Sequence, residues 1–212
     1  MMLLLGVDEA GKGPVIGSMF VAGLVIDEEK LFDLAAIGVK DSKQLTPERR
    51  EFMAKKINRI ADDKYILEVL PRVIDELRQV MTMNDIMVRC FSQVLQRLSS
   101  ANRARLDAAD VNEARFGERV RKASGTSMEI LAEHKADQNH PVVSAASILA
   151  KVQRDKSVRE LELSMNCIIG SGYPGDPLTI EFLGRWIKEH GDLPPCARHS
   201  WATAQRIKAS FI

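Results

Sequence analysis

The sequence predicts an α/β fold, a mixed five-stranded sheet flanked by helices, with a C-terminal helical region. Three observations predict it. Five strand-like runs interleave with segments of helical periodicity. The first two runs, residues 2–7 and 19–26, are joined by a tight turn punctuated by Gly11, Gly13 and Gly17, which suits an antiparallel pair. Beyond about Leu163 no stretch has strand character.

Taken in order, residues 2–7 form a buried strand ending at Asp8, 19–26 a second apolar strand, and 27–35 a short helical link. Thr46-Pro47 opens a helix with a capping hydroxyl and proline at the first helical position, and Phe52, Met53, Ile57 and Ile60 follow at helical spacing. Residues 65–70 read as a strand, 84–98 as an amphipathic helix and 104–108 as a short strand. Asp110, with Glu113 three residues on, has the pattern of a capped helix start, and Gly125 ends that helix. Residues 127–132 supply the fifth strand. A long helix from Pro141 to about Leu163 begins with Ser144, Ala145, Ala146, Ser147 and Ala150, small side chains that let it lie close on a sheet. A glycine- and proline-rich loop at 170–177, a helix at 178–189, a break at Pro194-Pro195 and a last helix complete the chain. The expected division is 1–163 and 164–212.

The 212 residues suffice for a core without staples, and 45% hydrophobic with 28% charged residues excludes extensive disorder. A net charge of +1 gives no global nucleic-acid signal. Cys90, Cys167 and Cys196 form no C-x-x-C pair, which fits a reducing compartment rather than a disulfide framework or a thiolate zinc site. Residues 1–5 lack signal-peptide features, and no apolar run approaches the ~18 residues of a membrane span. A soluble, cytoplasmic monomer without a membrane partner is expected.

Chemistry starts at Asp8-Glu9. Adjacent strand residues point to opposite faces, so both reach one site only if the strand ends there. Asp107 closes the fourth strand and Asp137 sits between the fifth strand and the long helix. Strand ends on one edge of an α/β sheet are where ligand sites form. Four convergent carboxylates would repel unless cations bound them, and an oxygen-only ligand set selects Mg²⁺ or Mn²⁺ over zinc. A single strand-end aspartate is more often a turn or cap residue, and Asp110 rivals Asp107 for the third position. Gly6–Gly13 nearly matches a phosphate-binding P-loop, but Gly13 replaces the metal-binding hydroxyl and two acids stand where phosphates would be cradled.

These residues sit in blocks that resemble the ribonuclease HII family, archaeal in detail. Gly6-Val7-Asp8-Glu9-Ala10-Gly11-Lys12-Gly13 resembles its opening motif and Val39-Lys40-Asp41-Ser42-Lys43-Gln44-Leu45 its second block. Residues 132–137 with 143–155 resemble the third and 170–177 the fourth; Arg198-His199-Ser200-Trp201 is a weaker match. The blocks occur in the family's order along nearly the whole chain. The resemblance implies a ribonuclease H-like fold, with 1–163 catalytic and 164–212 substrate-binding. It implies an endoribonuclease acting on the RNA strand of RNA–DNA hybrids and on ribonucleotides in duplex DNA, in replication and repair, leaving 5′-phosphate and 3′-hydroxyl ends. Asp8, Glu9, Asp107 and Asp137 would hold two Mg²⁺ or Mn²⁺ ions. Gly11, Lys12 and Gly13 would contact the ribonucleotide and Tyr173 would pack on the adjoining sugar and base. Lys40, Ser42, Lys43, Lys151, Arg198, His199 and Ser200 are the further candidate phosphate contacts.

One departure stands out. The family's strand before the third acid is apolar, whereas here it reads Ala104-Arg105-Leu106-Asp107, and an unpaired buried Arg105 would be costly. The alternatives are another two-metal nuclease of this fold, a resolvase or exonuclease, and a non-catalytic nucleic-acid-binding module. Whether a replication clamp binds is left open; Phe211-Ile212 could dock a partner, but reads first as the frayed end of a packed helix.

Overall fold

The computed structural model describes residues 2–39 and 45–212. Its strands are β1 (Leu3–Ala10), β2 (Met19–Asp27), β3 (Asp63–Val69), β4 (Arg103–Asp107) and β5 (Glu129–Glu133). Among the described residues they form one sheet of order β3-β2-β1-β4-β5. β1 runs antiparallel to β2 and parallel to β4, and β4 parallel to β5, so the sheet is mixed. The helices are α1 (Leu31–Ala36), α2 (Pro47–Ile60), α3 (Pro71–Arg78), α4 (Met83–Arg97), α5 (Glu113–Ser124), α6 (Ala136–Asn139), α7 (Pro141–Met165), α8 (Pro177–His190) and α9 (Ala202–Phe211). None of them is long and apolar enough to cross a membrane.

The chain divides into two compact units. The larger runs to Ala10 and adds Phe20–Leu67 and Met83–Gln153; the smaller joins Gly11–Met19, Glu68–Thr82 and Arg154–Ile212. The smaller unit therefore draws on two segments that lie before a boundary at 163/164.

In the larger unit two strand glycines mark where helices touch the sheet. A Cβ on Gly6 would lie 2.5 Å from the backbone carbonyl of Val142, so α7 can approach β1 only over a missing side chain. A Cβ on Gly23 would lie 2.5 Å from Val94 Cγ1, which places α4 just as close to β2. α4 in turn meets α5 through Phe91 and Phe116, edge to face at 5.1 Å between centroids. Ala145, Ala146, Ile148, Leu149 and Ala150 of α7 are buried in the core with Ala22, Leu24 and Ile26 of β2.

The smaller unit has its own apolar core, including Val15, Ile16, Ile169, Phe182, Leu183, Ile187 and Ala204. Asp176 caps α8 by accepting from Leu178 N–H at 3.0 Å. Phe211 lies over Gly184, where a Cβ would come within 2.7 Å of its ring.

Four local expectations change. β1 continues through Ala10 instead of ending at Asp8. Asn112, not Asp110, caps α5: its side chain accepts from Arg115 N–H at 2.8 Å. Asp137 lies in the short helix α6 rather than in a loop. α3 was not foreseen, because it starts without a side-chain cap and buries only Ile74.

Candidate active site

Three of the four predicted acids come together. One carboxylate oxygen from each of Asp8, Glu9 and Asp107 lies within 4.8 Å of the other two. The parallel register explains Asp8 and Asp107: Val7 faces Leu106, and each acid follows its partner by one residue. Glu9 joins them although β1 continues to Ala10. Its backbone partner there is Val21 of β2, and the β1–β4 pairing runs from Leu4 to Val7, so Glu9 lies beyond the last residue of β1 paired with β4.

Asp8 is 4% exposed. Burial first, and then the negative charges of Glu9 and Asp107, push its carboxyl well above the ordinary carboxylate range. The Ser147 hydroxyl and the Glu9 N–H, 2.7 Å from Asp8 Oδ1, act in the opposite sense. An all-oxygen cluster whose charges raise the proton affinity of Asp8 suits a hard divalent cation.

Asp137 is buried but lies outside this three-acid group. It is tied to it through the chain: Ala136 N–H, one residue before it, donates to Asp107 Oδ1 at 2.8 Å. Asp110 takes no part in the group. Its carboxylate binds Arg115 through Nη2 at 2.6 Å and Nε at 3.2 Å, and the guanidinium holds it below its usual range. Arg105 is half-buried, and its Nη1 finds no hydrogen-bond partner among the described residues. Lys151 is half-buried on α7. Lys40, Ser42 and Lys43 lie outside the described residues.

The smaller unit carries the glycine turn. Gly11 and Gly17 both have positive φ, +83° and +86°, which favours glycine. Val15 and Ile16 N–H donate to the Gly172 carbonyl at 2.9 and 3.2 Å. Tyr173 is 44% exposed, and a Cβ on Gly13 would lie 3.7 Å from its Cε1, so an accessible ring borders the turn.

The Arg198-His199-Ser200 block, a candidate phosphate contact, makes several hydrogen bonds within the chain. Arg198 is fully buried and donates to the Gly17 carbonyl through Nε at 3.0 Å, to the Lys12 carbonyl through Nη1 at 2.9 Å, and to the Gly11 carbonyl through Nη2. His199 and Ser200 N–H both donate to the Asp75 carboxylate of α3, at 2.8 and 2.9 Å. Arg198 thus holds the glycine turn, and His199 and Ser200 fasten the block to α3.

Sequence reasoning gave no role to Asp75, Ser147 or Arg154. A signal existed for the last two: Ser144, Ser147, Lys151 and Arg154 recur at helical spacing along a mostly apolar stretch of α7. Asp75 had none, because its helix was not read.

A mixed sheet of this order, with carboxylates gathered where its parallel strands β1 and β4 end, defines a metal-dependent nuclease of the ribonuclease H-like fold. The ribonuclease HII family model matches residues 5–204. The chain belongs to the ribonuclease HII family of metal-dependent endoribonucleases. It is 62% identical to ribonuclease HII of Methanothrix thermoacetophila over the full length of both chains. Among solved structures it resembles ribonuclease H2 from Pyrococcus horikoshii OT3, at 42% identity and a TM-score of 0.91 over 99% of each chain. It also resembles a chain of the PCNA–RNase HII complex from Archaeoglobus fulgidus, at 40% identity and a TM-score of 0.86 over 96% of each.

Proposed function

We propose that this chain cuts the RNA strand of RNA–DNA hybrids and also cleaves duplex DNA at single embedded ribonucleotides. Asp8, Glu9, Asp107 and Asp137 would hold two divalent ions, Mg²⁺ or Mn²⁺. The observation that carries this reading is the convergence of the Asp8, Glu9 and Asp107 carboxylates within 4.8 Å. Ions bound there would supply Lewis-acid stabilisation of the scissile phosphate and a water of lowered pKa. The residues of the chain do the rest. The Glu9 N–H orients the Asp8 carboxylate, and Ala136 N–H orients that of Asp107. The products carry 5′-phosphate and 3′-hydroxyl ends.

Substrate choice rests on the 2′-hydroxyl, which separates RNA from DNA. Gly11 and Gly13 present backbone with no side chain in the way, and Lys12 supplies a charge for phosphate. The Tyr173 ring stacks on the adjoining nucleotide, an interaction worth roughly 1–3 kcal/mol. Lys151, with Lys40, Ser42 and Lys43, contacts the backbone. The protein acts as a cytoplasmic monomer in replication and repair. The neighbouring Archaeoglobus fulgidus complex supports a sliding clamp as a partner. Since Phe211 packs on Gly184, a clamp would engage the exposed Ile212 or displace that ring.

The test uses duplex DNA carrying one ribonucleotide beside an all-DNA duplex of the same sequence. Cleavage at the ribonucleotide alone, with a 5′-phosphate on the product, is expected. Equal cleavage of both duplexes, or of neither, overturns the reading.

A further inference from the structure

Arg154 is 6% exposed and lies among glycines. A Cβ on Gly11 would fall 3.0 Å from its Cδ, one on Gly17 3.7 Å from its Cζ, and one on Gly172 2.8 Å from its Nη2. All three glycines have positive φ. The Arg154 side chain therefore occupies space that glycine leaves open at Gly11 and Gly172, while at Gly17 the contact would be an ordinary one. Its Nη2 donates to the Ser171 carbonyl at 2.8 Å and to the Ile16 carbonyl at 3.3 Å. One side chain thus joins the 11–18 turn to the loop that carries Tyr173.

The arrangement is costly. Arg154 Nε is buried without a hydrogen-bond partner among the described residues. Arg198, holding the same turn, is close enough that the positive charge of Arg154 adds to burial in lowering its pKa, to about 10. Burying two cations near one another costs stability that apolar side chains of similar volume would not. Backbone carbonyls bound by planar guanidinium donors are held in a fixed arrangement, because the guanidinium fork is rigid.

We propose that Arg154 is a specificity-positioning residue, which sets the glycine turn and the Tyr173 loop in the register that recognises a ribonucleotide. The inference rests on the reading of Gly11–Gly13 and Tyr173 as the substrate-reading elements. Arg154 itself need not touch substrate: it acts through the carbonyls of Ile16 and Ser171. Without it, both loops remain covalently intact but lose their common template. Binding suffers more than turnover, and Tyr173 loses its advantage.

The test measures kcat and KM of the native chain, Arg154→Gln and Arg154→Lys on duplex DNA with one ribonucleotide. Tyr173→Ala is added to the native and Arg154→Gln backgrounds. KM should rise about tenfold in Arg154→Gln and by more than kcat falls, the pattern of lost binding rather than lost chemistry. Arg154→Lys, which keeps the charge without the fork, should lie between. Tyr173→Ala should cost less in Arg154→Gln than in the native chain, since residues acting together are not additive. A folded Arg154→Gln with native KM, or fully additive costs, overturns the proposal. So does a fall in kcat that only tracks the unfolded fraction at unchanged KM. If Arg154→Gln does not fold, Arg154→Lys decides the matter, and native KM there overturns it. A native chain that cuts all-DNA duplex equally well defeats the underlying function instead, and is recognised from the wild-type data alone.

Discussion

The backbone N–H of Ala136 donates to Asp107 Oδ1 at 2.8 Å, so the residue before Asp137 is pinned to the acid that ends β4. Asp110, three residues beyond Asp107, is engaged elsewhere by Arg115. On the proposed function, Asp107 and Asp137 serve the chemistry, while the Asp110 carboxylate is held by Arg115. Asp107→Asn and Asp137→Asn should each lower kcat by more than the roughly 10–100-fold typical of changes around a metal's outer shell. Hybrid binding by Asp137→Asn, measured by fluorescence anisotropy, should largely survive. Asp110→Asn should keep its activity and lose a little thermal stability. An inactive but folded Asp110→Asn, or a fully active Asp107→Asn, would reverse the assignment.

The pH dependence of stability follows from Asp8. Its carboxyl is raised well above the ordinary range by burial and by Glu9 and Asp107, so the folded state binds this proton more tightly than the unfolded chain does. Stability should therefore fall as pH rises from the unfolded carboxylate range through the raised value. Thermal melts in EDTA should show this decline. Asp8→Asn should flatten it, and saturating Mg²⁺ should offset it by binding the ionised cluster. A decline that persists unchanged in Asp8→Asn would mean that another group is responsible.

The contact of Gly6 with Val142 predicts a steep penalty for a single methyl group. Overpacking typically costs 1–3 kcal/mol. In Gly6→Ala the new Cβ would stand 2.5 Å from backbone atoms, which cannot swing away as a side chain can. A fall in melting temperature of about 2–4 °C per kcal/mol is expected for a chain of this size. A melting temperature equal to that of the native chain would show that α7 can retreat from β1 at no cost.

Much of this architecture was legible in the sequence because it depends on local signals. Thr46-Pro47 announced α2, the run of small residues in α7 announced a close approach to the sheet, and Asp107 closed its strand as expected. Legibility failed where long-range contacts decide. Asp110 has the pattern of a cap, yet Arg115 takes its carboxylate and Asn112 caps α5 instead. Arg198 reads as a phosphate ligand, but its donors go to the carbonyls of Gly11, Lys12 and Gly17, at least 181 residues away in sequence. Periodicity cannot reveal that partnership. Asp75 stayed hidden because α3 offers no capping side chain and little apolar surface.

The decisive measurement is cleavage of an RNA–DNA hybrid across a titration of Mg²⁺, with the native chain and with Asp8→Asn. The cluster of Asp8, Glu9 and Asp107 predicts no cleavage in EDTA, activity that rises with Mg²⁺ in the native chain, and a flat baseline for Asp8→Asn. Hybrid cleavage that persists in EDTA, or an Asp8→Asn curve that overlays the native one, would contradict it.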